Sequence, residues 1–216
     1  MTWRGPCILP TCFDQLRREG QAIAERAEAL ITLASGQGYP IWLGYGYLMR
    51  GWAHVDQGRV VTGTAELREA VAALQRTGLR TGWPYYLVLL VKACGLLGAV
   101  DEAFAIQADA IGVGRETGEH CWDAELYRLR GELLLQQVAR DEVQAQAWFR
   151  RAIEVAHAQQ AKSWELRAVM SLGCLLRDQG RRDEARQVVA NTFGWFTEGF
   201  ETADLQDART LLDTLP

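Results

Sequence analysis

Apolar residues between positions 142 and 159 recur at the spacing of one helix face. The stripe consists of Ala145, Trp148, Phe149, Ala152, Ile153 and Ala156. This i, i+3, i+4, i+7 spacing is typical of an amphipathic α-helix that buries one side. Similar apolar stretches, separated by short polar or glycine-containing breaks, follow one another along the chain, and none alternates as a strand would. The pattern therefore predicts an all-helical protein.

Tryptophan marks a repeat of about 40 residues. It recurs at intervals of 41, 39 and 42 residues, at Trp42, Trp83, Trp122 and Trp164. A second series of breaks lies downstream, at Gly58, Gly98, residues 140–141 and Gly180. Two independent markers with the same period indicate stacked helical hairpins, because one hairpin cannot bury its own apolar face. We expect the recurring tryptophans to be buried where one hairpin meets the next.

The repeat predicts one domain at 12–216 after an N-terminal tail at 1–11. Its four hairpins are placed at 42–80, 83–119, 122–161 and 164–200. The first helix of each, helix A, is predicted at 42–57, 84–97, 122–138 and 164–179. The second, helix B, is predicted at 61–77, 101–117, 142–159 and 182–198.

Two further helices flank the hairpins. The N-terminal helix, at about 12–34, carries the stripe Phe13, Leu16, Ile23, Ala27, Leu30 and Ile31. The C-terminal capping helix, at 202–215, carries Leu205, Ala208, Leu212 and Leu215. We expect Thr202 to cap the second helix, because a threonine hydroxyl can accept a hydrogen bond from a free amide of the first turn.

Residues 172–185, "LGCLLRDQGRRDEA", resemble the tetratricopeptide repeat (TPR) pattern. Gly173 stands where helices A and B approach closely, Ala185 faces it across the crossing, and Gly180 ends helix A in a conformation that a Cβ disfavours. The chain departs from the family in its longer period and in Val91, which replaces the close-packing glycine of the second hairpin. The resemblance implies a right-handed α-solenoid of about four TPR-like hairpins plus the N-terminal and capping helices.

A wider resemblance extends from about Phe13 to the end of the chain. The segments "AELYRLRGELLL" and "GWFTEGFETADLQDARTLLDTL" are similar to the C-terminal helical repeats of large bacterial regulators. Those regulators join an adenylate cyclase-like or DNA-binding output domain to a STAND-type ATPase and then to the repeats. The resemblance implies a sensor or scaffold arm. The chain contains neither a GxxxxGK[ST] phosphate loop nor a cyclase motif.

Charge and hydropathy narrow the possible partners. The 23 basic and 27 acidic residues give a net charge of −4, and the arginines are scattered among acidic residues. This distribution disfavours nucleic acid. No apolar run reaches the roughly 18 residues that span a membrane. The first residues form a poor signal peptide. We therefore expect a cytoplasmic protein without a membrane or nucleic-acid partner.

The reactive side chains do not form a recognisable catalytic or metal site. The five cysteines are odd in number and contain no CxxC pair, although Cys7 and Cys12 lie close enough in sequence to pair. The "HCWD" segment at 120–123 lacks the spacing of a metal site, and "GVGRETG" at 112–118 follows a helix rather than a strand. We predict no metal, no cofactor and no enzymatic activity.

A binding surface is predicted on helix A, which lines the groove of TPR folds. Aligning Gly51, Val91, Gly131 and Gly173 places groove-facing positions in each hairpin. The binding residues predicted there are Tyr45, Trp52, Tyr85, Lys92, Arg128, Glu132, Arg167 and Arg177. Leu48, Val88, Glu125, Met170 and Cys174 belong to the same register. The aromatic rings would instead be structural if they packed against neighbouring helices.

The predicted function is a non-catalytic scaffold that binds a protein or peptide. The lysine and arginines of the groove would favour an acidic partner. Two alternatives stay open: a homo-oligomerisation scaffold that uses the exposed N-terminal end, and a small-molecule sensor arm of a cyclase- or ATPase-type regulator. The sequence does not identify the partner, and it does not decide between an independent protein and part of a larger regulator.

Overall fold

The computed structural model describes residues 17–216, and all the regular structure among them is helical. The helices are α1 (Gly20–Gln37), α2 (Pro40–Asp56), α3 (Val60–Arg76), α4 (Trp83–Leu97), α5 (Val100–Thr117), α6 (Asp123–Gln136), α7 (Glu142–Ala158), α8 (Lys162–Asp178), α9 (Arg182–Phe193) and α10 (Ala203–Asp213). The predicted all-α class is confirmed. The A helices are α2, α4, α6 and α8, and the B helices are α3, α5, α7 and α9.

The chain divides into two compact units, with the boundary between Ala110 and Ile111 inside α5. In the N-terminal unit, α2 packs between α1 and α3 and also touches α4, which packs on α3. In the C-terminal unit, α6 packs on α7 and α8, and α8 packs on α7 and α9. Helix α10 covers α8 and α9. Each unit is thus a layered set of antiparallel hairpins, and the prediction of a single repeat domain stays a prediction.

Local sequence signals set the helix ends. Pro40 and Pro84 lie in the first turns of α2 and α4, where a missing amide hydrogen costs nothing. Gly98 follows α4 with a φ of 81°, and Gly180 separates α8 from α9 with a φ of 80°. Glycine adopts this left-handed conformation without the steric cost that a Cβ imposes. The glycine breaks predicted between helices A and B therefore end helices as expected.

The core of the C-terminal unit forms around the apolar stripe of α7. Ala145, Phe149, Ala152 and Ala156 are fully buried, while Trp148 and Ile153 lie at the edges of the stripe. The Phe149 ring occupies the space next to Gly131 of α6, where a Cβ would collide with it. A large ring opposite a glycine lets these two helices pack closely without leaving a cavity.

Two glycine contacts hold helix A against helix B. A Cβ on Gly63 of α3 would lie 2.5 Å from the Gly51 carbonyl oxygen of α2. A Cβ on Gly173 of α8 would lie 2.6 Å from Cγ2 of Val189 in α9. Both distances are too short for a real contact, so each crossing requires glycine. The close approach predicted at Gly173 is therefore present.

Replacing Gly173 by leucine is expected to lower the free energy of unfolding by roughly 1–3 kcal/mol, because the added side chain separates α8 from α9. The matched control is Gly112→Ala in α5, where nothing lies within 4 Å of the added Cβ. That change should be neutral or stabilising by about 0.4–1 kcal/mol. Urea unfolding measures both variants, and an equal response at the two glycines would contradict the close crossing at Gly173.

The expectation that the recurring tryptophans are buried between hairpins is wrong. Trp42 is 40% exposed, and Trp83, Trp122 and Trp164 are only half-buried. Each lies at the start of an A helix and contacts another aromatic ring, as Trp122 does with Trp164 at a centroid distance of 5.4 Å. The tryptophan period therefore marks aromatic contacts near the starts of the A helices rather than the core.

Three further expectations, about α9 and α10, differ from the structure. Helix α9 ends at Phe193, five residues earlier than predicted, where Gly194 follows. In α10, Leu211 takes the buried place expected for Leu212. Thr202 occupies the N-cap position, but its side chain makes no cap hydrogen bond and its hydroxyl donates to the Gly199 carbonyl instead. The tail at 1–11 and the positions Cys7, Cys12, Phe13 and Leu16 lie outside the described residues.

Candidate interaction surface

Neighbouring A helices touch in both units, α2 with α4 and α6 with α8. We call the surface that α2 and α4 form in the N-terminal unit, and the surface that α6 and α8 form in the C-terminal unit, the A-helix face of that unit. Every predicted binding residue lies on one of these four helices. The burial of those residues differs sharply, however, and it separates structural side chains from ones that a partner can reach.

The A-helix face of the C-terminal unit is built around Arg128. Its Nε and Nη2 donate to the two carboxylate oxygens of Glu125, at 2.7 and 2.8 Å. Its Nη1 donates to Glu132 and, at 3.2 Å, to the Ser171 hydroxyl of α8. The Ser171 hydroxyl donates in turn to Glu132 at 3.1 Å. This Arg128 cluster therefore joins α6 to α8 through hydrogen bonds between side chains.

The charge of Arg128 is satisfied inside the protein. Arg128 is 7% exposed and Glu125 is 3% exposed. Burial of the guanidinium lowers its pKa, but the carboxylates of Glu125 and Glu132 more than offset this, so the pKa lies above the usual arginine value. A cation held by two carboxylates is a poor attractant for an acidic ligand. The structure thus gives Arg128 a packing role and contradicts its expected role as an accessible charge.

The other two arginines predicted to bind a partner in this unit also have carboxylate partners. Arg167 Nε donates to Asp204 of α10 at 2.7 Å, and its guanidinium lies 4.9 Å from the centre of the Trp164 ring. Arg177 donates to Asp178, its exposed neighbour in sequence. The predicted preference for an acidic partner therefore has no support from unpaired arginine charge.

Accessible side chains are nevertheless present on this face. The Glu132 and Arg177 side chains are 39% and 35% exposed, and Met170 and Cys174 are half-buried. Burial raises the pKa of the Cys174 thiol, Arg177 lowers it, and Asp178 and Glu132 raise it further. Glu132 and Arg177 therefore have opposite electrostatic effects on the Cys174 thiol. The face thus presents the Glu132 carboxylate, the Arg177 guanidinium and the less polar side chains of Met170 and Cys174 on the two helices that the Arg128 cluster joins.

The A-helix face of the N-terminal unit is aromatic and mostly covered. Trp52 is 2% exposed, and Tyr85, Leu48 and Val88 are buried as well. These side chains pack between α2 and α4. This packing agrees with the alternative expectation that the aromatic rings of this face are structural. Tyr45 is half-buried, and its hydroxyl meets the Tyr86 hydroxyl.

Lys92 remains half-buried and lies over the Trp52 ring, with Nζ 5.0 Å from the ring centre. A cation in this position is attracted by the negative face of the ring. Lys92 also lowers the pKa of the Asp56 carboxyl, although burial, the larger influence, raises that pKa overall.

Several residues of these surfaces were missed from the sequence. Tyr86 is fully buried and contacts Tyr45 and Trp83, while Ser171 and Asp204 complete the contacts of Arg128 and Arg167. A serine or an aspartate on a distant helix gives no periodic signal, so spacing arguments could not find either one. Tyr86 lies next to the predicted Tyr85, and a rotation of the assumed helix face by one residue would have found it.

The described cysteines do not form a reactive site. Cys94, Cys121 and Cys174 are free thiols. Burial raises the pKa of Cys94 to about 11, so the thiol keeps its proton at neutral pH. Within residues 17–216, no group of three or more His, Cys, Asp or Glu side chains is arranged to hold a metal ion. No described helix is long and apolar enough to cross a membrane.

Comparisons with known proteins identify the fold. No protein-family model matches the chain. The chain is 33% identical over 129 residues to an uncharacterized protein of Rhizobium meliloti (strain 1021). The match covers 60% of this chain and 12% of that protein, so the chain spans only a small part of its relative.

Two solved structures resemble the chain over nearly its whole length. Both are TPR-like repeats of a putative kinesin light chain of Podosopora anserina, one of them a variant, with TM-scores of 0.55 and 0.53. The identities are 19% and 18%, and the matches cover 88% and 98% of this chain and 95% and 98% of the two structures. This likeness, together with the helical hairpins, confirms the predicted α-solenoid class: the chain has a TPR-like repeat fold.

Proposed function

We propose that this chain is a non-catalytic protein-interaction module that binds a peptide or protein segment on the A-helix face of its C-terminal unit. One observation carries the proposal: Glu132, Met170, Cys174 and Arg177 are half-buried side chains on α6 and α8, the two helices that the buried Arg128 joins through its hydrogen bonds to Glu132 and Ser171. A surface on such a rigid base loses little conformational entropy when it binds. Exposed polar groups at the rim then select the partner.

The module belongs to a larger regulatory protein in bacterial signalling. The resemblance of its segments to the repeats of cyclase-like and STAND-type regulators supports this part of the proposal. The Rhizobium meliloti relative, in which the matched segment makes up 12% of the length, also supports it. In such a protein the repeats would receive a partner and pass the binding energy to an output domain, while any chemistry would belong to other parts of the protein.

A site-specific cross-linking experiment tests the proposed face. A photoreactive residue, p-benzoylphenylalanine, replaces Arg177 on α8 in one variant and Val143 on α7 in the other. Val143 is 83% exposed and lies on helix B of the same unit, which makes it a matched control. In cells of the source organism, irradiation is expected to attach a discrete protein partner at position 177 but not at position 143.

The pattern of adducts decides between the outcomes. Capture of the same partner only from position 143 would move the interaction to the B helices and contradict the proposed face. Equal capture from both positions would indicate non-specific contact. Absence of a discrete adduct from both positions would contradict an interaction role in those cells.

A further inference from the structure

Four aromatic rings form a continuous row at the starts of α2 and α4 in the N-terminal unit. The centre of the Trp42 ring lies 6.2 Å from the centre of the Tyr45 ring. Tyr45 meets Tyr86 of α4 edge-on at 5.1 Å, and Tyr86 meets Trp83 edge-on at 5.7 Å. Tyr86 is fully buried, so it fixes the row to the core of the unit. We call these four rings the aromatic row.

Part of the aromatic row is accessible to a ligand. Trp42 is 40% exposed, Tyr45 and Trp83 are half-buried, and Tyr39, directly before α2, is 53% exposed. Among the described residues, neither the indole N–H groups of Trp42 and Trp83 nor the Tyr39 hydroxyl has a hydrogen-bond partner. Exposed rings that adjoin one another, unlike scattered ones, indicate an interaction site. The row therefore offers ring surface together with hydrogen-bond donors.

The sequence around the aromatic row limits the charge of its ligand. Residues 38–49 and 81–91 contain no charged side chain and no asparagine or glutamine. The charged residues that border these segments in sequence, Arg50, Arg80 and Lys92, are basic. A cationic ligand therefore meets no carboxylate from these segments, and a sugar meets no side-chain amide or carboxylate to pair with its hydroxyl groups. Because ligand groups left unpaired reduce affinity, the surface complements an uncharged ligand that brings hydrogen-bond acceptors.

We propose that the aromatic row binds an uncharged, proline-rich segment of a partner protein in the polyproline II conformation. This conformation forms no internal hydrogen bonds, so its carbonyl oxygens are open to the indole and phenol donors. Proline has no backbone N–H, so the segment brings acceptors and few donors that need a partner. Its rings pack on aromatic side chains, and its preformed conformation loses little entropy on binding. The two uncharged surfaces are therefore electrostatically complementary.

Titration with short peptides tests the aromatic row directly. The isotope-labelled full chain is titrated with acetyl-decaproline amide up to about 5 mM, a range that covers dissociation constants up to the millimolar level. The readout is the NMR signals of the Trp42 and Trp83 indole N–H groups, assigned with Trp42→Phe and Trp83→Phe. The first comparison peptide is an acetylated glycine–serine peptide of the same length, which is uncharged but flexible. The second is an oligoglutamate of that length, which tests for an acidic ligand.

The expected result is a saturable shift of the Trp42 and Trp83 signals with decaproline and little shift with either comparison peptide. Trp42→Ala should weaken decaproline binding by about tenfold or more, because tryptophan rings often carry much of the binding energy of a surface. Trp42→Phe keeps a ring but loses the indole N–H, and it should weaken binding by about two- to fivefold. The control Trp195→Ala, which removes a 59% exposed ring in the C-terminal unit, should leave the affinity unchanged.

Several outcomes would overturn the proline-rich ligand. They are no shift with decaproline, an equal or larger shift with either comparison peptide, and an unchanged affinity in Trp42→Phe. Circular dichroism checks that each variant is folded, and Trp42→Phe decides alone if Trp42→Ala unfolds. Shifts of the same signals with rising concentration of the chain alone, without decaproline binding, would assign the row to contact with a second copy of the chain.

The aromatic row lies in the N-terminal unit, so its ligand is independent of the partner proposed for the C-terminal unit. If position 177 captures a partner but decaproline does not bind, the A-helix face of the C-terminal unit stands and the proline-rich ligand is wrong. If decaproline binds as expected but neither cross-linking position captures a protein, the aromatic row stands and the face proposed for the C-terminal unit is wrong.

Discussion

Replacing Arg128 by methionine is expected to lower the free energy of unfolding by about 3–5 kcal/mol. The guanidinium is buried and binds both oxygens of Glu125, which is buried as well. Methionine fills much of the same volume but removes both hydrogen bonds that Arg128 donates to this buried carboxylate, and removing one partner of a buried ion pair is costly. Chemical unfolding monitored by circular dichroism measures the change. This result would agree with the burial of Arg128 and would contradict its expected accessibility in the groove.

The matched control is Arg151→Met on α7. Arg151 pairs with Glu154 three residues away, the same separation as Arg128 and Glu125, but both side chains are more than half exposed. Surface pairs of this kind contribute about 0–1 kcal/mol. A loss below about 1 kcal/mol in Arg128→Met, similar to that of the control, would contradict the buried cluster as described.

Replacing Phe149 by alanine is expected to cost about 3–5 kcal/mol of unfolding free energy. The ring is fully buried and fills the space beside Gly131, so its removal leaves a cavity between α6 and α7. Trp195→Ala provides the comparison in the same unit, because that larger ring is 59% exposed. Its removal should cost no more than about 1 kcal/mol.

The two aromatic variants are compared by thermal and urea unfolding under the same conditions. A larger loss at Trp195 than at Phe149 would place the core of the unit elsewhere and would contradict the packing of α7 on α6.

The fold was predictable because its main features are periodic. The apolar stripe of α7 predicts both the helix and its buried side, and Gly180 marks the break between α8 and α9. The tryptophan period also predicts the repeat. It does not predict the burial of the tryptophans, because a ring at a helix start can meet either the core or another ring, as Trp122 meets Trp164.

The interaction surface was predictable only in part, for a different physical reason. Alignment of the A helices identifies a shared face, but it does not show how closely the next A helix covers that face. Trp52 and Arg128 therefore looked accessible in sequence and are buried in the structure. The partners of Arg128 and Arg167 include Ser171 and Asp204, which lie on other helices. Only the packed chain reveals whether a charge is available to a ligand.

The most direct test of the account is a calorimetric titration of the partner segment captured at position 177. The unchanged chain is compared with Arg177→Glu, which alters the A-helix face, and with Arg151→Glu, which makes the same charge change on α7. Arg177→Glu is expected to weaken binding by about tenfold or more, the effect of losing a contact worth about 1.4 kcal/mol, without a change in unfolding temperature. Arg151→Glu should leave the affinity unchanged. Equal affinities in all three proteins, or a loss confined to Arg151→Glu, would contradict binding on the A-helix face.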